Sequence, residues 1–81
     1  MEAHKIDLSL NWVTIITNED EFTLVNESPD ALQICYSTAQ PTDQSPAIIL
    51  KPKEGWLSAY GTGVIWAKTV GVDHSAITII K

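Results

Sequence analysis

An all-β fold, a small β-sandwich or barrel of seven to eight short and mostly antiparallel strands, is what this sequence predicts. Three observations carry that reading. Apolar residues alternate with polar ones at period two in segment after segment, as half-buried strands require. Turn-forming residues recur every 8–12 positions or so, the spacing of sandwiches and small barrels. The chain has 81 residues, a hydrophobic fraction of 44% and a charged fraction of 19%, which suits one folded domain over 1–81 and leaves no room for a second.

In chain order, Ile6, Leu8 and Leu10 alternate with Lys5, Asp7 and Ser9 and form the first strand. Near Asn11 and Trp12 the phase becomes mixed, since Val13, Ile15 and Ile16 occupy both parities; Asn11 marks a bulge or a bend between two strands. Beyond the polar turn Asn18-Glu19-Asp20, Phe22 and Leu24 alternate with Glu21 and Thr23 in a third strand. Ser28-Pro29-Asp30 is a turn before a strand carrying Leu32, Ile34 and Tyr36, or else the N-cap and first turn of a helix. The strand is the favoured alternative, because residues 34–38 (Ile-Cys-Tyr-Ser-Thr) are poor helix formers.

Thr38 to Pro46 is the longest polar connection, with two prolines, and is expected to be the most mobile surface loop. Ala47 to Leu50 is a short buried strand, and Pro52-Lys53-Glu54-Gly55 a turn. Trp56 to Tyr60 and Val64 to Lys68 flank Gly61-Thr62-Gly63, which reads as a hairpin loop requiring positive φ. The β-branched run Ala76 to Ile80 follows the turn at Gly71 to Ser75.

Composition excludes several function classes. The net charge is −5 and all five basic residues are Lys. Non-specific nucleic-acid binding needs basic side chains to displace counterions from phosphates, and base readout leans on Arg. The same charge repels anionic membranes, and no apolar run approaches the roughly 18–20 residues of a spanning helix. No basic or apolar leader opens the sequence, which is read as made in a reducing cytoplasm. The single cysteine, Cys35, allows neither an internal disulfide nor a zinc cluster, and is expected as a small buried hydrophobe.

Catalytic and cofactor chemistry find no motif, so the chain is read as non-enzymatic, with no cofactor and no metal ligands. Asp73-His74-Ser75 holds triad residue types, but consecutive extended residues point to opposite faces and cannot form a relay. The acidic run Glu19-Asp20-Glu21 lacks the spaced ligands and turn glycine of a calcium loop and reads as a solvated turn. Asn26-Glu27-Ser28 fits the glycosylation pattern, yet Pro29 follows and nothing indicates secretion.

Aromatic residues are more informative. Trp56 and Tyr60 share a face on a regular strand, where they serve as an interface or a sugar-stacking platform, with core packing an equal alternative for Trp56. Trp66, between Ile65 and Ala67, is expected in the core. A sandwich this small cannot hide all of its apolar residues, so some of Ile15, Ile16, Ile48, Ile49, Ile79 and Ile80 should face solvent or another chain. The expected state is a homo-oligomer, a trimer or a dimer.

The order of Phe22-Thr23-Leu24-Val25-Asn26-Glu27-Ser28, Leu32-Gln33-Ile34-Cys35-Tyr36 and Pro41 is followed by Ile49-Leu50-Lys51-Pro52-Lys53-Glu54-Gly55-Trp56, Gly63-Val64-Ile65-Trp66-Ala67-Lys68 and Ala76-Ile77-Thr78-Ile79. This order resembles small β-sandwich virion proteins of tailed bacteriophages: decoration proteins, head fibres and tail adaptors. The turn before Trp56 is longer than the family's Pro-Gly, and Met1 to Asn11 fall outside the pattern. The resemblance implies a structural part of a virion, made in the host cytoplasm, that self-associates and binds an assembled capsid or tail surface. Residues 1–11 are then an arm or a strand exchanged between copies, with Ile6, Leu8 and Leu10 pairing onto a neighbour and Trp12, Trp56 and Tyr60 completing the interface. Deleting residues 1–11 is expected to abolish assembly and leave a folded core. The alternative function is a glycan- or receptor-binding module with Trp56 and Tyr60 as the ring face and Asn26, Asp43 and Gln44 as polar partners.

Overall fold

The computed structural model describes residues 2–17, 21–42, 44–53, 55–60 and 63–80, the side chains at 58–60 excepted. Eight strands run in chain order: β1 (Ala3–Leu8), β2 (Val13–Thr17), β3 (Glu21–Asn26), β4 (Leu32–Tyr36), β5 (Ile48–Leu50), β6 (Gly55–Tyr60), β7 (Val64–Thr69) and β8 (Ser75–Ile80). They form two four-stranded antiparallel sheets packed as a sandwich, β1-β8-β3-β6 (sheet 1) and β2-β7-β4-β5 (sheet 2). The segment after Pro29 is strand β4, which settles the helix alternative.

Four of the pairings are nested: β1 with β8, β2 with β7, β3 with β6 and β4 with β5. The chain is thus one long hairpin folded across itself, and the contacts β3–β8 and β4–β7 knit its two arms into sheets. Nested pairs distributed over two sheets in this order are jelly-roll connectivity.

Alternation decides the core. Leu8, Phe22, Leu24, Ile77 and Ile79 point inward from sheet 1, against Leu32, Ile34, Leu50, Ile65 and Ala67 of sheet 2. Ile15 and Ile16 are consecutive yet both buried, and the register shift between Thr14 and Ile16 is a β-bulge that turns both inward. The mixed phase read in the sequence is therefore resolved in two places. A bend at Leu10–Asn11 separates β1 from β2, and the bulge itself lies inside β2.

Three sequence expectations are corrected. Ala47 to Leu50 is not a buried strand: β5 is an edge of sheet 2, so Ala47, Ile48 and Ile49 are exposed and only Leu50 enters the core. Gly61-Thr62-Gly63 does not close a hairpin, because β6 pairs with β3 in sheet 1 while β7 pairs with β2 and β4 in sheet 2. The connection crosses between sheets; Gly63 has the expected positive φ, at 142°, and residues 61–62 lie outside the described ones. Trp66 is not in the core. Its neighbours Ile65 and Ala67 take the inward positions, and Trp66 lies half-buried on the outer face of sheet 2 with its indole N–H donating to the Ser37 carbonyl (2.9 Å).

Candidate functional site

The sandwich offers four free strand edges, β1 and β6 in sheet 1 and β2 and β5 in sheet 2. Edge strands present unpaired backbone N–H and C=O groups, which makes them the natural sites of β-mediated contact. The residues expected at an interface distribute unevenly over these edges.

On β1, Leu8 is 1% exposed and belongs to the core, while Ile6 is half-buried against it. Leu10 lies past the end of the strand and is 48% exposed. Within one chain this segment is no detached arm: all six residues of β1 pair with β8, from Ala3 opposite Ile80 to Leu8 opposite Ser75. On its outer face β1 carries Ala3, Lys5 and Asp7, the last two opposite Thr78 and Ala76.

Trp12 leaves the β1 group altogether. It precedes β2, half-buried, with the Lys68 Nζ 5.3 Å from its ring centroid in a cation–π contact. Its indole N–H is buried without a hydrogen-bond partner among the described residues.

Trp56 and Tyr60 stand on β6, opposite Val25 and Glu21, and Trp56 faces outward from sheet 1. Trp56 is 65% exposed, and the side chain of Tyr60 lies outside the described residues. Since β1 and β6 are opposite edges of a four-stranded sheet, about 14 Å apart at ordinary strand spacing, the expected residues do not form one surface. Beside β6 runs the β5 edge of sheet 2, where Ile48 and Ile49 are both largely exposed. Of the six isoleucines that size argued could not all be hidden, these two face solvent, Ile80 is half-buried, and Ile15, Ile16 and Ile79 are buried.

Asn26 has no place in a glycan site. It is fully buried, and its Nδ2 lies within hydrogen-bond distance of the carbonyls of Asp30 (2.7 Å), Leu50 (3.0 Å) and Lys51 (3.0 Å). Its Oδ1 accepts from the Ser28 hydroxyl (2.6 Å) and amide (3.0 Å). The side chain pins the turn after β3 to the turn after β5, and it is equally inaccessible to glycosylation. Of its intended partners, Gln44 is exposed and Asp43 lies outside the described residues, as do Asn18 to Asp20.

Cys35 is buried and free, as expected. The loop 38–46 is less open than its composition suggests: Pro41 is buried, and the Ser37 hydroxyl bonds the Ala39 carbonyl (2.7 Å) while the Thr42 amide donates to Ser45 Oγ (3.0 Å). His74 and Ser75 of the Asp73-His74-Ser75 run line a groove of about 440 Å³ on the outer face of sheet 1, with Lys5, Asp7, Glu27 and Asp30. Among the described residues no three His, Cys, Asp or Glu side chains gather as a metal site, and no helix is long and apolar enough to cross a membrane. No protein-family model matches this chain, and neither a curated protein nor a solved structure matches it significantly.

Proposed function

We propose that this protein is a non-enzymatic structural component of a virion, self-associating and binding an assembled capsid or tail surface through strand edges and apolar contacts. The observation that carries the reading is the apolar side of the sandwich, where Ile48, Ile49 and Trp56 are 56%, 50% and 65% exposed along two adjacent free edges. Large apolar side chains held in water on strand edges are costly for a monomer and useful to a subunit that docks. Jelly-roll connectivity recurs in capsid proteins; this is an analogy of fold, and it supports the reading without assigning the function. Stabilisation would work by mass action, since a piece that binds only the assembled shell stabilises it in proportion to its affinity and concentration.

The test is direct. Particles banded from a lysate of the phage that encodes this chain are expected to contain it at stoichiometric copy number by quantitative mass spectrometry. Its absence from purified particles, with the protein present in the infected cell, sinks the reading.

Trp56 also supports the second reading, a glycan- or receptor-binding face, since a ring this exposed is available for stacking on a sugar. That reading has lost Asn26 as a polar partner. A saturable change in tryptophan fluorescence on titration with a sugar panel, abolished by Trp56→Ala, would favour it.

A further inference from the structure

We propose that two copies of this chain dimerise through the free edge of β1, pairing antiparallel about a twofold axis at Ile6, so that sheet 1 continues from one copy into the next. The proposal rests on the self-association inferred above and supplies its partner, a second copy, and its register.

One side of β1 is fully occupied by β8, and the other has no strand against it among the described residues. Every second residue therefore turns its backbone N–H and C=O toward the open side. The pleat places Lys5 and Asp7 on the outer face, with His4, Ile6 and Leu8 at the inward positions. Residues directly opposite in an antiparallel pair share a face, so a self-paired β1 must be centred on a residue rather than between two.

Few centres remain, and charge separates them. An axis at Lys5 sets two lysines opposite each other, and an axis at Asp7 sets two aspartates opposite each other; both are unfavourable. An axis at His4 or Leu8 leaves Lys5 and Asp7 opposite uncharged residues or beyond the paired segment. Only an axis at Ile6 sets Lys5 opposite the partner's Asp7, and it does so twice by symmetry.

Among the described residues nothing satisfies these two charges. The residues opposite them on β8 are Thr78 and Ala76, and neither Lys5 nor Asp7 forms an ion pair among the described residues. Glu27 and Asp30, the other acids lining the groove, stand across it on the turn that follows β3, away from the free edge, and Glu21 sits two strands away on β3. Charged residues on an edge strand ordinarily discourage pairing. Here their order along the strand is self-complementary, and the axis brings the half-buried Ile6 against the partner's Ile6 on the inner side, where its open flank gains cover.

Sedimentation equilibrium of the full chain at about 0.1 M salt tests the proposal. The wild type is expected as a dimer, weakened by high salt. Lys5→Asp and Asp7→Lys each turn two attractions into two repulsions and should raise the dissociation constant about tenfold or more. The double variant Lys5→Asp with Asp7→Lys restores both pairs and should return to within a few-fold of wild type. Both side chains are exposed, so far-UV circular dichroism should remain unchanged throughout. Single reversals without effect on an associating wild type, or a double variant no better than the singles, overturn the β1 register while self-association stands. A wild type that stays monomeric at high micromolar concentration overturns both, and incorporation into particles is scored separately by mass spectrometry.

Discussion

Asn26 continues the inward row of Phe22 and Leu24 on β3, and a polar amide at an inward position is tolerated only when its hydrogen-bonding groups are met. The turns around residues 27–30 and 50–53 meet them, and the Lys53 amide donates to the Ser28 carbonyl (2.9 Å) beside the same junction. Asn26→Asp keeps the size and removes both donors, leaving a carboxylate against three carbonyl oxygens. It should cost about 3 kcal/mol or more, read as a lowered urea midpoint with unchanged slope. Opposite Asn26 stands Gly55, where a Cβ would lie 2.4 Å from the Lys51 carbonyl oxygen and 2.7 Å from Leu50 Cγ. Gly55→Ala must push the turn apart and should cost about 2 kcal/mol by thermal or urea unfolding. The reason for this glycine is close approach, and the positive φ in that turn falls on Lys53 instead.

At the scale of the element, β1 decides what truncation means. Removing residues 1–11 takes away Leu8 from the core and strips one flank of β8 of its entire ladder, leaving only the pairing with β3. The truncated chain should lose its cooperative melt, in place of the folded core that the sequence led one to expect. Leu8→Ala alone should cost about 3 kcal/mol by denaturant unfolding. A truncation that keeps native near-ultraviolet dichroism would show that β1 is dispensable to the fold. The strands themselves were legible because alternation is a local consequence of the pleat, and Phe22, Leu24, Ile77 and Ile79 can be assigned inward from spacing alone. Partner choice was not legible. The residues around Gly61–Gly63 specify a reversal in the chain but not whether the next strand returns to the same sheet, which depends on contacts distant in sequence. The apolar flanks of Trp66 suggested a core position, yet on a strand the neighbours Ile65 and Ala67 take the opposite face, so their inward phase points its side chain out. Asn26 was open to the same reasoning, since a polar residue in phase with Phe22 and Leu24 announces a buried hydrogen-bonding role.

For the whole molecule, small size dictates the kind of surface but not its address. Exposed apolar residues were required by the ratio of surface to volume, but their gathering along β5 and β6 depends on which strands end up as edges, a property of topology. Replacing both Ile48 and Ile49 with Asp should therefore separate folding from function. These side chains are largely in water already, so the stability change should stay within about 1 kcal/mol. Binding to particles should fall at least tenfold in a co-sedimentation assay; retained binding would move the docking surface elsewhere. If β1 edges join two copies, the β5 and β6 edges lie at the two far ends of the dimer, and simultaneous contact at both would multiply affinity through effective concentration.

The nested order of the strands also sets a schedule on the ribosome. β8 lies between β1 and β3 in sheet 1, so the first strand made has no partner until residues 75–80 have been synthesised. At about 5–20 residues per second, Leu8, Phe22 and Leu24 wait several seconds for the strand that joins their two hairpin arms. A nascent chain halted before Ser75 already holds every strand of sheet 2 and the β3–β6 pair, but leaves β1 without its neighbour, so sheet 1 closes only after β8 has been made.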